Sequence, residues 1–411
     1  MLDLGEQCIA GAFADPGGED PVRRTVPLEL VRCDMTADEN ACGLIQTRHT
    51  VPGSILYRSY WYRSGVNRTM TENLHGIARD AEELVSLSAG DLVVDIGCND
   101  GTLLDGYRAE GLSYLGFDPS DVSRYAVEKG YEVVNDFFAR GPLAARYPDR
   151  KAKVITSIAM FYDLEDPAAF VADVAASLAE NGIWGLELHY LPLMLERYAF
   201  DAIVHEHLEY YSLAVLERLF AEAGLEAISA SVNDVNGGSI RLLVTHRGAR
   251  AARPEHAQAL RDLRLSEFEM ALDSPAPYAE FAQGVEAVRD DLSSFCRRLI
   301  SEGRTIHAYG ASTKGNTILQ YAGLDNKVIT HAADRNEDKW GSHTIATNIP
   351  IVSEADSRAM RPDYYLVLPW HFLDEFLERE AEYLEAGGRF IVPLPKVRIL
   401  GPGGVEESLP A

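Results

Sequence analysis

Short apolar runs alternate with amphipathic segments from residue 71 to about residue 182. The segment TENLHGIARDAEELVSL carries apolar side chains at helical spacing, and DPAAFVADVAASLAE predicts a second helix with Asp166 as N-cap before Pro167. Buried strands are predicted in DLVVDIG, LSYLGFD, AKVITSIAM and NGIWGLELHY. This alternation of strands and helices predicts a parallel sheet covered by helices.

The pattern changes twice outside this segment. GLEAISASVNDVNGGSIRLLVTH predicts two closing strands joined by an Asn-Gly turn, and residues 254–303 predict two long helices broken near Pro275 and Pro277. Strands and helices then alternate again in RTIHAYGAS, TKGNTILQYAGL, KVITHAADRN, DYYLVLPW and GGRFIVPLP. The predicted fold class is α/β, with a small irregular N-terminal domain (1–70), a first α/β domain (71–249) and a helical connector with a second α/β domain (250–411).

Composition limits the partners. The formal net charge of −25 on 411 residues argues against nucleic acid and anionic membranes as partners, because a negative surface repels phosphate. No apolar run reaches the roughly 18 residues of a membrane span, and the N-terminus lacks the basic start of a signal peptide. The five cysteines are scattered and indicate no disulfide framework. A cytoplasmic protein is therefore expected.

A glycine-rich turn, VVDIGCNDGTLL, follows the first predicted strand. Asp95 precedes Gly97, Gly101 is expected to ease the turn into a helix, and the next strand ends at Asp118, whose carboxylate can hold ribose hydroxyls. The G-x-x-x-G spacing differs from a dinucleotide fingerprint, and an acid at this place suits an amino-acid ammonium. The pattern favours S-adenosylmethionine over a purely structural turn, and the residues predicted to bind this cofactor are Asp95, Gly97, Asn99, Gly101, Asp118 and Met160.

A second glycine-rich turn, YGASTKGNT, lacks the residue order of a phosphate loop. Its helix N-terminus with Ser312 and Lys314 fits a bound phosphate and an ordinary helix cap equally well.

The segment FDAIVHEHLEYYS places His205, Glu206 and His207 side by side near several tyrosines. Three interpretations stay open. The histidines could hold a metal on one face of a strand, a histidine could act as a general acid or base beside the glutamate, or His207 could cap a helix. The tyrosines favour the acid–base interpretation.

Cys33 and Cys42 form a single cysteine pair, whereas a structural zinc site needs four ligands. We therefore expect no metal there, and zinc as a cofactor is doubtful.

Together these motifs resemble the three-domain S-adenosylmethionine-dependent sugar C-methyltransferases of antibiotic deoxysugar biosynthesis. The resemblance rests on YWYRSG (60–65), VVDIGCNDGTLL, HEHLEYYS, VNGGSIR and GASTKGNT, and it covers nearly the whole chain. It implies a small N-terminal domain of a degenerate or truncated zinc-binding type, a Rossmann-like class I methyltransferase domain and a C-terminal Rossmann-like domain.

The resemblance also implies a reaction and its residues. A ketosugar attached to a nucleoside diphosphate is methylated at the carbon beside the ketone, with His207 as the base and Glu206 in support. The family tyrosine two residues before the glutamate is replaced by Val204, so Tyr62 or Tyr190 is expected to steady the enolate. The expected substrate contacts are Tyr60, Tyr211, Asn236, Ser312 and Lys314. After the third strand, where the family has another polar residue, this sequence has Tyr162.

Two alternative functions remain at this stage. An O- or N-methyltransferase acting on another natural-product intermediate would keep the cofactor loop without needing a base that forms an enolate. A non-catalytic nucleotide- or cofactor-binding protein would bind without turnover.

Overall fold

The computed structural model describes residues 1–11, 13–14, 25–38, 40–57 and 62–410. Within these residues the strands are β1 (Leu2–Cys8), β2 (Phe13–Ala14), β3 (Thr25–Arg32), β4 (Ile45–Thr47), β5 (Leu92–Ile96), β6 (Ser113–Phe117), β7 (Glu132–Val134), β8 (Ala152–Ile158), β9 (Leu178–His189), β10 (Glu209–Tyr210), β11 (Leu225–Asn233), β12 (Ser239–His246), β13 (Ile306–Tyr309), β14 (His331–Asp334), β15 (His343–Thr344), β16 (Ile351–Ser353), β17 (Tyr364–Val367), β18 (Arg389–Val392), β19 (Arg398–Gly401) and β20 (Gly404–Ser408). The helices are α1 (Gly53–Leu56), α2 (Arg68–Val85), α3 (Arg124–Glu128), α4 (Arg140–Arg146), α5 (Pro167–Ser177), α6 (Leu191–Glu196), α7 (Leu213–Glu222), α8 (Pro254–Glu269), α9 (Ala276–Ser301), α10 (Thr313–Tyr321), α11 (Glu354–Met360), α12 (Leu373–Arg379) and α13 (Ala381–Glu385).

Seven strands form a central sheet in the order β11-β12-β9-β8-β5-β6-β7. The strands from β9 to β7 are parallel, and β11 and β12 close the sheet as the predicted antiparallel pair. Val94 and Ile155 are fully buried, as continuous apolar strands covered on both faces require. Asp166 caps α5 as predicted, because its side chain accepts a hydrogen bond from the amide of Ala169.

A second seven-stranded sheet, the C-terminal sheet, has the order β16-β14-β13-β17-β18-β19-β20. Its first five strands are parallel and the last two are antiparallel. The two predicted connector helices are α8 and α9. The buried side chains of α9 recur every three or four residues, so one stripe of the helix packs inward: Phe281, Val285, Val288, Leu292, Phe295 and Leu299.

The described part of the N-terminal region is more regular than expected. It forms an antiparallel sheet in the order β1-β3-β4-β10, whose last strand comes from the HEHLEYY segment. The prediction of an irregular region is wrong here because β1 and β3 bury Leu2, Leu28 and Leu30. These leucines belong to the same hydrophobic core as the C-terminal sheet.

The two parallel-rich sheets confirm the predicted α/β class with two α/β units. The domain limits at residues 70 and 249 stay predictions. In the part of the chain that the structure describes, no helix has the length and apolarity needed to cross a membrane.

Candidate active site

The predicted cofactor loop follows β5 and turns at Gly97. The amide of Gly97 donates to the Phe117 carbonyl at 2.7 Å, and the backbone has φ +74°. A Cβ here would lie 3.1 Å from Cγ of Met160. The loop therefore passes closely beneath Met160 in a conformation that favours glycine.

Asp118 lies at the carboxyl end of β6, directly beside this loop. Its carboxylate accepts the amides of Asn99 and Ser120, each at 2.8 Å. The side chain is buried, and both contacts come from uncharged groups. The Ser120 hydroxyl also donates to Oδ1, so this oxygen already has two donors. Oδ2 accepts only the Asn99 amide and keeps a lone pair, so the group remains able to bind a ribose hydroxyl.

Asp95 and Asn99 complete this end of the sheet. The Thr156 hydroxyl donates to Asp95 at 2.6 Å, and burial raises the pKa of Asp95 to about 7. The Asn99 side chain donates to the Tyr62 carbonyl and accepts the amide of Ser64, each at 3.0 Å. Residues 62–64 are therefore held over the loop.

Gly101 takes a different position from the other predicted cofactor residues. Its φ is +76°, and a Cβ there would meet Ala126 and Tyr131 at 3.1 Å, so it packs against α3. The predicted helix after the loop is wrong. Residues 104–106 form only a short 3₁₀ turn.

The His205–His207 segment is a turn that leads into β10. The alternative in which His207 caps a helix is wrong, since β10 pairs with β4 and α7 begins at Leu213 with Ser212 as its cap. In a turn, consecutive side chains point in different directions. The three adjacent polar residues therefore have three separate partners.

His205 and Glu206 are both held by the N-terminal region. His205 Nε2 donates to the Val26 carbonyl at 3.0 Å, and Glu206 Oε1 accepts the amide of Gly11 at 3.0 Å. The Tyr57 hydroxyl donates to the Glu206 carbonyl at 2.7 Å. Burial raises the pKa of Glu206, and its second carboxylate oxygen has no hydrogen-bond partner among the described residues.

His207 has a partner other than the predicted Glu206. Its Nδ1 lies 2.7 Å from the Ala202 carbonyl. Because a carbonyl only accepts, the proton sits on Nδ1 and Nε2 keeps its lone pair. Desolvation, followed by the charge of Lys314, lowers the pKa of His207 to about 3. The ring is therefore neutral near pH 7 and can accept a proton at Nε2.

Two further rings surround His207. The ring centroid of Tyr162 lies 4.3 Å away and that of His189 lies 5.4 Å away. Sequence reasoning missed His189, although it ends β9, and the carboxyl ends of parallel strands are where such sheets bind ligands.

Two of the four tyrosines predicted for the enolate or the substrate have their hydroxyls engaged elsewhere. Tyr190 donates to Glu267 at 2.9 Å, and the fully buried Tyr211 donates to Glu209 at 3.3 Å. These contacts do not favour the roles predicted for Tyr190 on the enolate and Tyr211 on the substrate. Tyr62 is 42% exposed and adjoins the cofactor loop, and Tyr60 lies outside the described residues.

The second glycine-rich turn reaches the same place from the C-terminal sheet. Ser312 caps α10 by accepting the amide of Gly315 at 3.0 Å. Lys314 Nζ donates to the Asn236 carbonyl at 2.5 Å, in the turn between β11 and β12. Because Ser239 pairs with His189, this turn lies at the end of β9 beside the histidines.

Two residues missed at the sequence level, His371 and Asp201, belong to the same cluster. The charge of Lys314 acts on both, and the Trp370 indole donates to Asp201 at 2.9 Å. Asp201 lies in the same FDAIVHEHLEYYS segment as His207, whereas His371 lies in no motif and reaches the cluster through tertiary packing.

Comparisons with known proteins agree with this architecture. Residues 1–57 match a model described as "Putative zinc binding domain", residues 62–230 match "Methyltransferase domain", and residues 234–395 match "C-methyltransferase C-terminal domain". The C-methyltransferase NovU of Streptomyces niveus is 32% identical over 408 residues, which cover 97% of this chain and 94% of that protein. The chain belongs to the C-methyltransferase family.

Two further matches are weaker and cover less of the chain. A ubiquinone biosynthesis O-methyltransferase of Thiobacillus denitrificans (strain ATCC 25259 / T1) is 28% identical over 154 residues, which cover 34% of this chain and 66% of that protein. The crystal structure of magnesium protoporphyrin IX methyltransferase from Synechocystis PCC 6803 with bound SAM is 14% identical, covers 43% of this chain and 81% of that one, and has a TM-score of 0.33. The last likeness is too slight to support any functional statement.

The protein is an S-adenosylmethionine-dependent C-methyltransferase, and the loop after β5 fits this cofactor. A space that a Cβ at Gly97 would fill lies beneath Met160. Two carboxyl groups, Asp95 and Asp118, lie at the ends of neighbouring strands. Two such hydrogen-bond acceptors suit an ammonium and a ribose hydroxyl. That these particular residues hold the cofactor stays a prediction.

The described residues of the N-terminal region do not fit a zinc ion. The amide of Cys42 lies 3.3 Å from Cys33 Sγ, so the two cysteines are adjacent. Among the residues described, no group of three or more histidine, cysteine or acidic side chains is placed to hold a metal. The expectation that Cys33 and Cys42 carry no zinc remains a prediction.

Proposed function

We propose that this C-methyltransferase methylates the carbon beside the ketone of a nucleoside-diphosphate-linked ketosugar, with His207 as the base that removes the proton from that carbon. The observation that carries the proposal is the hydrogen bond from His207 Nδ1 to the Ala202 carbonyl at 2.7 Å. This bond fixes the tautomer and leaves the lone pair of Nε2 for the substrate.

The position of His207 supports a substrate bound between the two large sheets. Lys314 of the C-terminal unit and Asn236 of the central unit meet beside the histidines. A ligand reaching His207 therefore contacts both units. The nucleotide-linked sugar is favoured by the sequence motifs that resemble deoxysugar C-methyltransferases of antibiotic biosynthesis.

The methyl donor and the protein supply different parts of the proposed reaction. S-adenosylmethionine supplies an electrophilic methyl group. The chain has to form a carbon nucleophile and hold it in line, because a well-oriented nucleophile gains much of the rate from positioning alone. His207 forms the nucleophile by accepting the proton at Nε2, and Ala202 holds the ring in the required orientation.

Exchange of the substrate's α-proton with deuterated solvent, in the absence of the methyl donor, tests this role. Wild type should incorporate deuterium, and His207→Asn should lower the exchange rate and kcat by about 10²–10⁴, the usual contribution of a positioned base. S-adenosylmethionine affinity should change little. Glu206→Gln should lower the rate less, because this carboxylate does not contact His207, and His205→Asn should lower it least.

Other outcomes would reject the assignment. Equal exchange in wild type and His207→Asn, or loss of activity in His205→Asn alone, would mean that His207 is not the base. Methyl transfer to an oxygen or nitrogen without any exchange would favour an O- or N-methyltransferase.

A further inference from the structure

Removing a proton beside a ketone leaves negative charge on the ketone oxygen, and that charge needs a hydrogen-bond donor. Tyrosines were expected to supply it. The structure engages the hydroxyls of Tyr190, Tyr210 and Tyr211 with Glu267, the Ala202 and His207 carbonyls, and Glu209 respectively. These contacts leave Tyr62 over the cofactor loop, Tyr162 against the His207 ring and the cationic side chain of Lys314 as candidate donors.

Lys314 is a cation in this cluster. Its Nζ uses one donor on the Asn236 carbonyl at 2.5 Å, and an ammonium has three. The turn that holds Asn236 meets the end of β9, where the amide of Tyr190 donates to the Gly238 carbonyl at 3.2 Å, so Lys314 lies beside His189. Its charge lowers the pKa of His189, His207 and His371. The negative charge of Asp201 acts to raise the pKa of Lys314, and the Asp201 carboxylate already accepts a hydrogen bond from the Trp370 indole at 2.9 Å.

We propose that Lys314 donates a hydrogen bond to the ketone oxygen of the substrate as the enolate forms, in place of the predicted tyrosines and in place of a contact to the diphosphate. The inference rests on the proposed function, since it requires proton removal by His207.

The electrons balance within the substrate and the two side chains. The α-carbon–hydrogen bond breaks and a nitrogen–hydrogen bond forms at His207 Nε2. The released pair forms a carbon–carbon double bond, and the carbonyl pair moves onto the oxygen, where Lys314 donates while keeping its own protons. When the carbon–methyl bond forms, the ketone is restored, and the pair of the broken methyl–sulfur bond remains on sulfur.

The electrostatics of the cluster agree with this role. Desolvation lowers the pKa of Lys314 to about 8, so the amine is still largely protonated at pH 7. After desolvation, the charge of Lys314 is the next cause that lowers the pKa of His207. The cation that lowers the basicity of His207 is therefore the one that stabilises the enolate oxygen formed by proton transfer.

Lys314→Met in the full chain tests the proposal, with a ketosugar that wild type methylates. At saturating ketosugar, α-proton exchange should fall by about 10²–10³, as on removal of one donor to a developing oxyanion. Binding of thymidine diphosphate or uridine diphosphate alone should change by no more than about twofold, since that ligand lacks the ketone. Lys339→Met is the matched control. Lys339 Nζ contacts the Ala311 carbonyl at 2.7 Å in the same loop, and exchange at saturation should stay at the wild-type level.

The opposite pattern would overturn the proposal. If Lys314→Met weakens nucleoside diphosphate binding more than about tenfold and exchange recovers at saturation, the lysine binds the diphosphate. Lys314→Arg keeps a cation and should retain more exchange than Lys314→Met, so an equal loss in both folded variants would contradict a donor role. If wild type itself shows no exchange, the proposed function fails and not this assignment.

The pH profile gives a second readout. The ionisable groups that face Lys314 are Asp201 and the histidines His189, His207 and His371, whose pKa values are lowered by burial and then by Lys314. These histidines stay neutral above pH 7. Wild-type exchange should therefore fall above about pH 8 as Lys314 loses its proton. The same fall in Lys314→Met would contradict the proposal.

Discussion

The central sheet and the C-terminal sheet each have the same kind of hydrogen-bonded turn at the end of a parallel strand. After β5, the amide of Gly97 donates to the carbonyl of Phe117 in the neighbouring strand, and after β13 the amide of Gly310 donates to the carbonyl of Ala333, both at 2.7 Å. In each turn an aspartate at the end of the neighbouring strand accepts a loop amide at 2.8 Å. Asp118 accepts the amide of Asn99 in the first turn, and Asp334 accepts the amide of Ala311 in the second.

The two turns differ in what surrounds that acid. Asp118 is contacted by amides and a serine, whereas Asp334 has Lys339 Nζ at 3.5 Å. Two residues before the glycine, the central sheet has Asp95 and the C-terminal sheet has the fully buried Ala308. One backbone geometry therefore serves two chemistries. The first turn keeps acids that can accept a ligand's donors, and the second has its acid paired internally.

The largest expected effect is the difference in stability lost when each of the two turn glycines is replaced by alanine. Gly310→Ala should destabilise the fold by about 2–4 kcal/mol, because φ is +84° and a Cβ would lie 2.7 Å from the Pro369 ring. Gly97→Ala should cost about 1–2 kcal/mol, since its nearest neighbour, Met160, is flexible. Urea unfolding of both variants measures the difference, and equal losses would show that backbone strain alone decides.

The next effect concerns the two acids. Asp118→Ala should weaken S-adenosylmethionine binding about ten- to a hundredfold, or about 1.5–3 kcal/mol, because it removes a charged hydrogen-bond acceptor. Asp334→Ala should leave that affinity within about twofold, as this acid is paired with Lys339. Calorimetric titration of both variants tests the contrast. Unchanged binding in Asp118→Ala would refute the ribose assignment.

A third difference depends on pH and on Asp95. Burial raises the pKa of this carboxyl from 3.8 to about 7 in the folded chain. The folded state then binds the proton more tightly than the unfolded state, so this group's contribution to stability falls as pH rises from about 4 to 7. Asp95→Asn should remove that fall, and its stability relative to wild type should rise by roughly 2 kcal/mol between pH 5 and pH 8. Thermal unfolding at the two pH values would reject this if the difference stayed constant.

The smallest effect concerns helix capping, which only the second turn uses. Ser312→Ala should destabilise the chain by about 1 kcal/mol, since the amide of Gly315 loses its acceptor. S-adenosylmethionine affinity should be unchanged. In the first turn, Asn99 instead contacts residues 62 and 64, so Asn99→Ala should alter cofactor binding more than stability. Chemical unfolding and calorimetry on the same two samples compare them, and a reversed pattern would contradict these roles.

The sequence predicted those parts of the fold that depend on local pattern. The parallel strands are continuous apolar runs, and the closing strand pair has an Asn-Gly turn, so both were predicted. The N-terminal sheet was missed for two reasons. The alternation of β1 is broken by an irregularity between Asp3 and Glu6, and β4, which pairs with β3, has its second partner far along the chain in β10.

The candidate site divides in the same way. The cofactor loop and His207 lie in short motifs, so the sequence alone could propose them, and their roles stay predictions. The hydrogen-bond partners of individual side chains could not be predicted. His207 contacts the Ala202 carbonyl and not the expected Glu206, and Lys314 donates to the carbonyl of Asn236, which lies 78 residues away in the chain. Hydroxyls such as that of Tyr190 give no sign in the sequence of where they donate.

The turn formed by His205–His207, the HEH turn, is held by the N-terminal region, and this attachment affects recombination between homologous chains. Val26 and Gly11 hold His205 and Glu206, and β4 holds the strand that follows His207. A chimaera that exchanges the first fifty or so residues with those of a homologue would therefore inherit a differently seated turn, even though no exchanged residue need touch the substrate. Laboratory shuffling should recover active crossovers more often when this leading segment travels together with the HEH turn than when the two are separated.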